Sequence, residues 1–463
     1  MSDWGTRMKT FLGLLVISVI CNAVYGQDKP NIVLFIADDL TYWDIGTYGG
    51  QAKTPNIDRL ATEGIQFENA YQAVAVCGPT RHNLLTGLYP VKNGAYPQSG
   101  VLNEGVKTLP HYLQPLGYRT AYVGKRHFRP ESQFPFEYLD ENKAMNFDAI
   151  DRFLASTEGK PFMLMVGTTE PHYRWDKGDA SKYNADRLVL PKNWIDTKKT
   201  REYYAKYLGE VTYQDWEVGE TIRLLKKHDL YDNTAYFYTS EQGASFPFAK
   251  WTCYEAGVHT ALIVRWPGKI KQGSKAQGIV DYTDVLPTLI ELAGGKVPSE
   301  LDGQSFKTTL LGGKDAGKAY TFSMQTTRGE PWGGDHFGVR AVRDKRYTYI
   351  TNLHPYMLFE NHLTRYGDGF FNTWREAGWK DPEANKLFLA YITRPAVELY
   401  DREQDPFEMN NLAKDPKYAK TIELLDSKLK AWMAYTGDKG HETEMEAYEH
   451  QWKTYVKRHP GAN

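Results

Sequence analysis

Cysteine is scarce in this 463-residue chain, with only Cys21, Cys77 and Cys253 present. That excludes a fold stapled by disulfides, and a chain this long buries enough surface to do without them. Neither sign of charge dominates, since 56 basic residues stand against 57 acidic ones. Nucleic acid and membrane surfaces are therefore unsupported as partners. Beyond the N-terminus no apolar run approaches the length that spans a bilayer. No His/Cys cluster suggests zinc, no internal repeat or low-complexity tract appears, and no Asn-x-Ser/Thr sequon occurs. The missing sequon leans toward a bacterial exported protein. An anion-binding site in such a chain must be local.

The first 26 residues read as a signal peptide: Arg7 and Lys9, the run Phe11 to Ile20, then Val24-Tyr25-Gly26 with small residues suited to cleavage. The run is too short to cross a bilayer. Ile20 is bulky where a lipid anchor on Cys21 would require a small residue, so cleavage near Gln27 is favoured over anchoring. The expected protein is exported, periplasmic or secreted, and not inserted in the membrane after cleavage. Its 32 Tyr and 12 Trp are many; most fill a core, and exposed ones suit stacking on sugar rings.

Asn31 to Ala37 is a continuous apolar run of strand length, the pattern of a central parallel strand covered on both faces. Thr54-Pro55 starts a helix through Leu60 that stops near Gly64. Further strands are predicted at Tyr118 to Val123, Phe162 to Thr168, Thr234 to Ser240 and Ala261 to Arg265, with helices near 147–156 and 199–228. This alternation predicts an α/β fold, a large mixed, mostly parallel sheet sandwiched by helices. From about Tyr320 the pattern changes. Thr321 to Thr326 and Val339 to Tyr349 read as hairpin strands and Tyr418 to Thr436 as a helix, a smaller antiparallel sheet with a helix on it. The expected division is 27–315 for a catalytic domain and 316–463 for a smaller one, joined in the Gly-rich stretch Leu311 to Lys318.

Ligands of such sheets collect at the carboxyl ends of strands. Asp38-Asp39 and Glu241-Gln242 each close a predicted strand, and their oxygens suit a hard divalent cation, Ca²⁺ or Mg²⁺. Gly124-Lys125-Arg126-His127 and Glu170-Pro171-His172 follow two others, and Lys250 comes nine residues after Glu241. Cys77-Gly78-Pro79-Thr80-Arg81 places a reactive residue two positions before a Pro that fits a first helical turn. Position 77 is therefore expected at a helix N-terminus, an end that attracts anions.

Cys77-Gly78-Pro79-Thr80-Arg81 with Leu84, Thr86 and Gly87 resembles the signature of the formylglycine-dependent sulfatases, members of the alkaline phosphatase superfamily. Gly-Lys-x-His at 124–127, Pro171-His172, Lys250 and the stretch Asp281 to Leu289 are similar to further segments of that family, the last as structural elements, as are Glu398 to Asp401. The resemblance implies that a maturation enzyme oxidises Cys77 to an aldehyde, 3-oxoalanine, whose hydrate is the nucleophile. Arg81 and a cation held by Asp38, Asp39, residue 77, Glu241 and Gln242 would activate one hydroxyl. Lys125 and Lys250 would hold the sulfate, His172, backed by Lys250, would protonate the departing sugar oxygen, and His127 would take the proton of the second hydroxyl to release sulfate. A Cys77–Cys253 bridge would consume the nucleophile, so none is expected. The family usually has Asp and Asn where this sequence has Glu241 and Gln242, each longer by one methylene; Ca²⁺, which tolerates flexible ligation, is favoured over Mg²⁺.

The expected substrate is a sulfated carbohydrate, with Arg174, Trp175, Asp176, His336, His354 and Arg394 as candidate sugar contacts. Two catalytic alternatives share the same residues: a sulfamidase, and a phosphodiester or phosphonate monoester hydrolase. A non-catalytic one is a sulfated-glycan binding protein that lost its metal through Glu241 and Gln242.

Overall fold

Alternate residues of the strand Asn31–Ala37 feed two separate cores, Val33, Phe35 and Ala37 on one face and Ile32, Leu34 and Ile36 on the other. A strand covered on both faces has no polar side to show, which is why its sequence is an unbroken apolar run. The computed structural model describes residues 29–140, 144–315, 317–330, 333–365 and 369–460. The expected signal peptide and Cys21 lie outside the described residues.

The large sheet has eight strands in the order Ser274–Ala276, Ile65–Phe67, Leu262–Arg265, Thr234–Ser240, Asn31–Ala37, Phe162–Gly167, Arg119–Gly124 and Glu137–Tyr138. Leu262–Arg265 runs antiparallel to both its neighbours, and the remaining pairs are parallel. The expected mixed, mostly parallel sheet is therefore the observed one, with predicted strands recovered to within a residue or two. The two short strands Ile65–Phe67 and Ser274–Ala276 have no counterpart in the sequence reading, because three residues are too few to show a period.

Helices follow their local signals. Pro55–Glu63 starts on Pro55 and ends at Gly64, and Lys198–Lys227 starts where the Thr197 side chain accepts from the Thr200 amide. Among the described residues no helix is long and apolar enough to cross a membrane. The smaller sheet is antiparallel, Thr321–Thr326, Gly338–Arg343, Tyr347–Asn352 and Val397–Asp401, and Ala419–Thr436 packs on it. Glu398 to Asp401, read from the sequence only as a structural element, lie in the strand Val397–Asp401, whose pairing partners stand 46 to 54 residues back, beyond any local signal.

A buried acid gives the fold a pH signature. Asp44 is almost fully buried and accepts from the Tyr204 hydroxyl at 2.6 Å. Burial, only partly offset by Tyr204 and Tyr207, pushes its carboxyl up to about 7. The unfolded chain loses that proton near pH ~4. With the folded value raised, this group's stabilisation is full below the unfolded value and is lost as pH rises through about 7. Asp44→Asn is therefore expected to gain stability relative to the parent at pH 8 compared with pH 5. Urea unfolding at the two values checks it, and an equal difference at both would refute it.

Candidate active site

Strand register brings the site together. Ala37 pairs with Ser240, and the Glu241 amide donates to the Ala37 carbonyl at 2.8 Å, so Asp38-Asp39 and Glu241-Gln242 leave the sheet side by side. On the other flank Gly124 pairs with Gly167, and the Lys125 amide donates to the Gly167 carbonyl at 2.7 Å. A Cβ on Gly167 would meet Arg81 Nη1 at 2.8 Å, so only glycine lets the guanidinium cross there. Cys77 opens the helix Cys77–Thr86, as expected, and Gly87 ends it in the left-handed conformation.

The Cys77 sulfur lies 3.4 Å from Asp38 Oδ1, 3.8 Å from Asp39 Oδ1 and 3.2 Å from Gln242 Nε2. Lys125 pairs with Asp38, while Lys250 Nζ reaches Asp39 Oδ2 at 2.6 Å. His172 Nε2 stands 3.5 Å from Asp39 Oδ2. Arg81 pairs through Nε with Glu241 and through Nη1 with the Tyr122 hydroxyl and the Lys125 carbonyl, both at 2.6 Å. Asp39, His127 and Trp251, all with positive φ, are held in the left-handed region at this site. Such strain in non-glycine residues persists where surrounding structure enforces it, typically at functional sites.

Charges here are tightly coupled. Burial, with Asp38 and Glu241 nearby, pushes the Cys77 thiol well above its usual range, so an unmodified thiol is protonated and a poor nucleophile. Burial alone would raise Asp38, yet Lys125, His172 and Lys250 hold it well below the usual carboxylate range. Burial lifts Glu241 to about 7 against the pull of Arg81. Burial lowers both imidazoles below their usual range, His127 strongly so with Lys125 and Arg81 alongside, while Asp39 pulls His172 back the other way.

Asp38, Asp39, Cys77 and His172 present ligand atoms that all lie within 4.8 Å of one another. Gln242 adds a carbonyl oxygen, Oε1, buried without a hydrogen-bond partner. Rotating that amide by half a turn would aim the oxygen at Asp39. An oxygen-rich, buried, acidic set of this kind fits a hard divalent cation. Of the expected ligands, Asp38, Asp39 and Cys77 stand in this cluster; His172 joins them, and Glu241 is turned to Arg81.

Every expected catalytic residue, Cys77, Arg81, Lys125, His127, His172 and Lys250, stands in or beside this cluster or the openings next to it. The candidate sugar contacts divide. Trp175 lines a cavity beside His172 and Lys250, and Arg174 and Asp176 line the opening past Lys125 and His127. Arg394 is instead buried with its guanidinium 3.6 Å from the Phe359 ring centre, and His354 Nε2 bonds His441 at 2.9 Å. Sequence reading missed Ser245, whose hydroxyl donates to Asp39 Oδ2 at 2.8 Å, and Tyr122, because neither belongs to a recognisable motif. Cys77 and Cys253 are both unpaired and buried.

The α/β sandwich with acids, lysines and histidines gathered at the carboxyl ends of its central strands is the fold of the alkaline phosphatase-like hydrolases. The sulfatase family model matches residues 30–149 and 139–295, and the model for the C-terminal part of N-sulphoglucosamine sulphohydrolase matches 243–364. An ulvan-active sulfatase of Formosa agariphila is 34% identical over 426 residues, 89% of this chain and 81% of that protein. Human N-sulphoglucosamine sulphohydrolase is 27% identical over 92% of this chain and 93% of its own length. The solved structure of a 2-O GAG sulfatase superposes with a TM-score of 0.69 at 23% identity, covering 89% of this chain and 93% of that one. The chain belongs to the sulfatase family and is a sulfuric ester hydrolase.

Proposed function

We propose that this protein is an exported carbohydrate sulfatase acting through an oxidised Cys77 and a divalent cation, with 27–315 as its catalytic domain and 316–463 as a smaller accessory domain. The observation that carries the reading is the convergence of Cys77, at a helix N-terminus, with Asp38, Asp39, Lys125 and Lys250. Saccharide substrates are supported by the ulvan-active relative and by the aromatic cavity beside the cluster.

Asp38, Asp39 and Gln242, with residue 77, would hold the cation, for which Ca²⁺ is the preferred identity; bound, it would supply Lewis-acid stabilisation of anionic oxygens. Oxidised to an aldehyde by a maturation enzyme and hydrated, residue 77 would offer two hydroxyls on one carbon, one to attack sulfur and one to let sulfate leave. Lys125 and Lys250 offset the charge of the sulfate group in place, so that fixed positive charge lowers the barrier. His172 lines the cavity, where it would hand a proton to the departing sugar oxygen. His127, buried and neutral, takes up the proton released at residue 77. Arg81 is placed to orient Glu241 and the Lys125 loop.

The test is sulfate release from ulvan oligosaccharides, other defined O-sulfated saccharides and N-sulfoglucosamine. Release from at least one O-sulfated saccharide is expected, and none from any would sink the reading. Fastest turnover of N-sulfoglucosamine would favour the sulfamidase alternative, which the match at 243–364 and the human relative recommend. Prolonged chelation is expected to lower kcat roughly a hundredfold or more, with recovery on adding Ca²⁺. Activity that survives metal-free dialysis, verified by elemental analysis, would remove the cation from the scheme.

A further inference from the structure

Beside the cluster lies a cavity of about 190 Å³ whose lining includes Trp175, Tyr203, Trp251 and Phe370, and also Gln98 and Glu330. Two oxygens here lack partners: Glu330 Oε2 and Gln98 Oε1 are buried with no hydrogen bond. Glu330 is 92% buried, its relative exposure being 8%. A buried acceptor left unpaired forfeits its hydration with nothing in return. Such groups in native structures ask for a reason.

The backbones beneath both oxygens are held in place. Gln451, from near the end of the chain, donates through Nε2 to the Gln98 carbonyl at 2.9 Å and to the Gly329 carbonyl at 2.7 Å. One side chain thus ties together the backbones that carry both orphan oxygens. Gly329 has φ +87°, and a Cβ there would meet Gln451 Nε2 at 2.4 Å. The tie is reinforced by Val101 N to His450 O and Trp452 N to Ser99 O, each 2.9 Å. Gln98 in turn abuts the start of the catalytic helix, its Oε1 lying 3.0 Å from where a Cβ on Gly78 would stand. Gln325 and Lys250 are the polar neighbours that lower the proton affinity of the Glu330 carboxyl, against the larger effect of burial.

We propose that Gln98 and Glu330 are specificity residues that hydrogen-bond ring hydroxyls of the sulfated sugar, with Gln451 as the residue that positions both. The inference rests on the sulfatase reading and adds the group recognised next to the sulfate. A pyranose matches the lining because it offers an apolar C–H face to aromatic rings and a rim of hydroxyls to polar groups. A hydroxyl both donates and accepts. It therefore pairs with Glu330 whether the carboxyl is protonated, as burial favours by pushing it up to about 8, or ionised. A site with unpaired polar groups discriminates strongly against ligands that cannot fill them.

The test compares two probes, the O-sulfated saccharide turned over fastest and 4-nitrophenyl sulfate, which has no sugar hydroxyl. For Glu330→Leu and Gln98→Leu, the loss of kcat/KM on the saccharide is expected to exceed that on the aryl sulfate by roughly tenfold or more, mainly through KM. Glu330→Gln, which keeps hydrogen-bonding capacity, should recover most of that difference. Gln451→Leu should raise KM for the saccharide and leave the pH profile of kcat where it was. Equal losses on both probes, or no loss on the saccharide, would overturn the inference while leaving the sulfatase reading intact. A parent enzyme inactive on every probe would defeat both.

Discussion

Cys77→Ala is expected to abolish sulfate release, by a factor on the order of 10⁴ or more, because it removes the atom from which the nucleophile is made. The side chain is buried at the start of its helix, so trimming it leaves the acids, lysines and helix in place. Thermal unfolding should shift little. Cys77→Ser separates nucleophilicity from the aldehyde chemistry. A serine could accept sulfate once, but it has no second hydroxyl to expel it, so the expected result is at most one turnover with the ester left on the substituted side chain. Intact-mass measurement after incubation with substrate reads that directly. Two outcomes would end the proposal: undiminished multiple turnover in either variant, or full activity of protein shown by peptide mass to carry the unmodified thiol. The high proton affinity that burial confers on that thiol argues against the latter.

Much of this site was legible before any coordinates, because its chemistry sits at strand ends and strand ends announce themselves. Asn31 to Ala37 and Thr234 to Ser240 are unbroken apolar runs, and the polar residues just after them had to share one edge of the sheet. What a linear reading could not supply is reach. Glu241 and Gln242 stand at the expected strand end, but only the packed structure shows Glu241 turned to Arg81 and His172 joined to the acids. Glu330, Gln98 and Gln451 were invisible for a different reason. They meet across 232 and 353 positions of sequence, and none belongs to a motif with a period or a fixed spacing. Arg394 failed as a sugar contact because an arginine can be wholly internal when aromatic faces receive its guanidinium.

The smaller antiparallel sheet holds the second large expected effect, which reaches the cavity through the fold. Arg340, on the strand Gly338–Arg343, is fully buried and pairs with Asp438 and with Glu444, whose side chains are also inaccessible. Its Nη2 donates to Asp438 Oδ1 at 3.0 Å and its Nη1 to Glu444 Oε1 at 2.8 Å. Asp438 follows the end of the helix Ala419–Thr436, and Glu444 also accepts from Thr326, so one guanidinium joins the small sheet to two C-terminal helices. Arg340→Met would leave two carboxyls buried without a counter-charge, a change that costs about 3–5 kcal/mol. The deficit has a sign in pH. Burial without the arginine raises both carboxyls, and raised acids contribute stability that is present below their unfolded values and lost as pH rises through the folded ones. The variant should therefore approach the parent as pH falls from 7 toward 5. Adding Asp438→Asn and Glu444→Gln should restore much of the loss at pH 7, because neutral amides need no counter-charge. A single-variant loss below about 1 kcal/mol in denaturant unfolding would show that the cluster is not the clamp described. The single variant should also weaken saccharide turnover more than aryl sulfate turnover, since the segment that carries Gln451 is anchored through Glu444 and its helix.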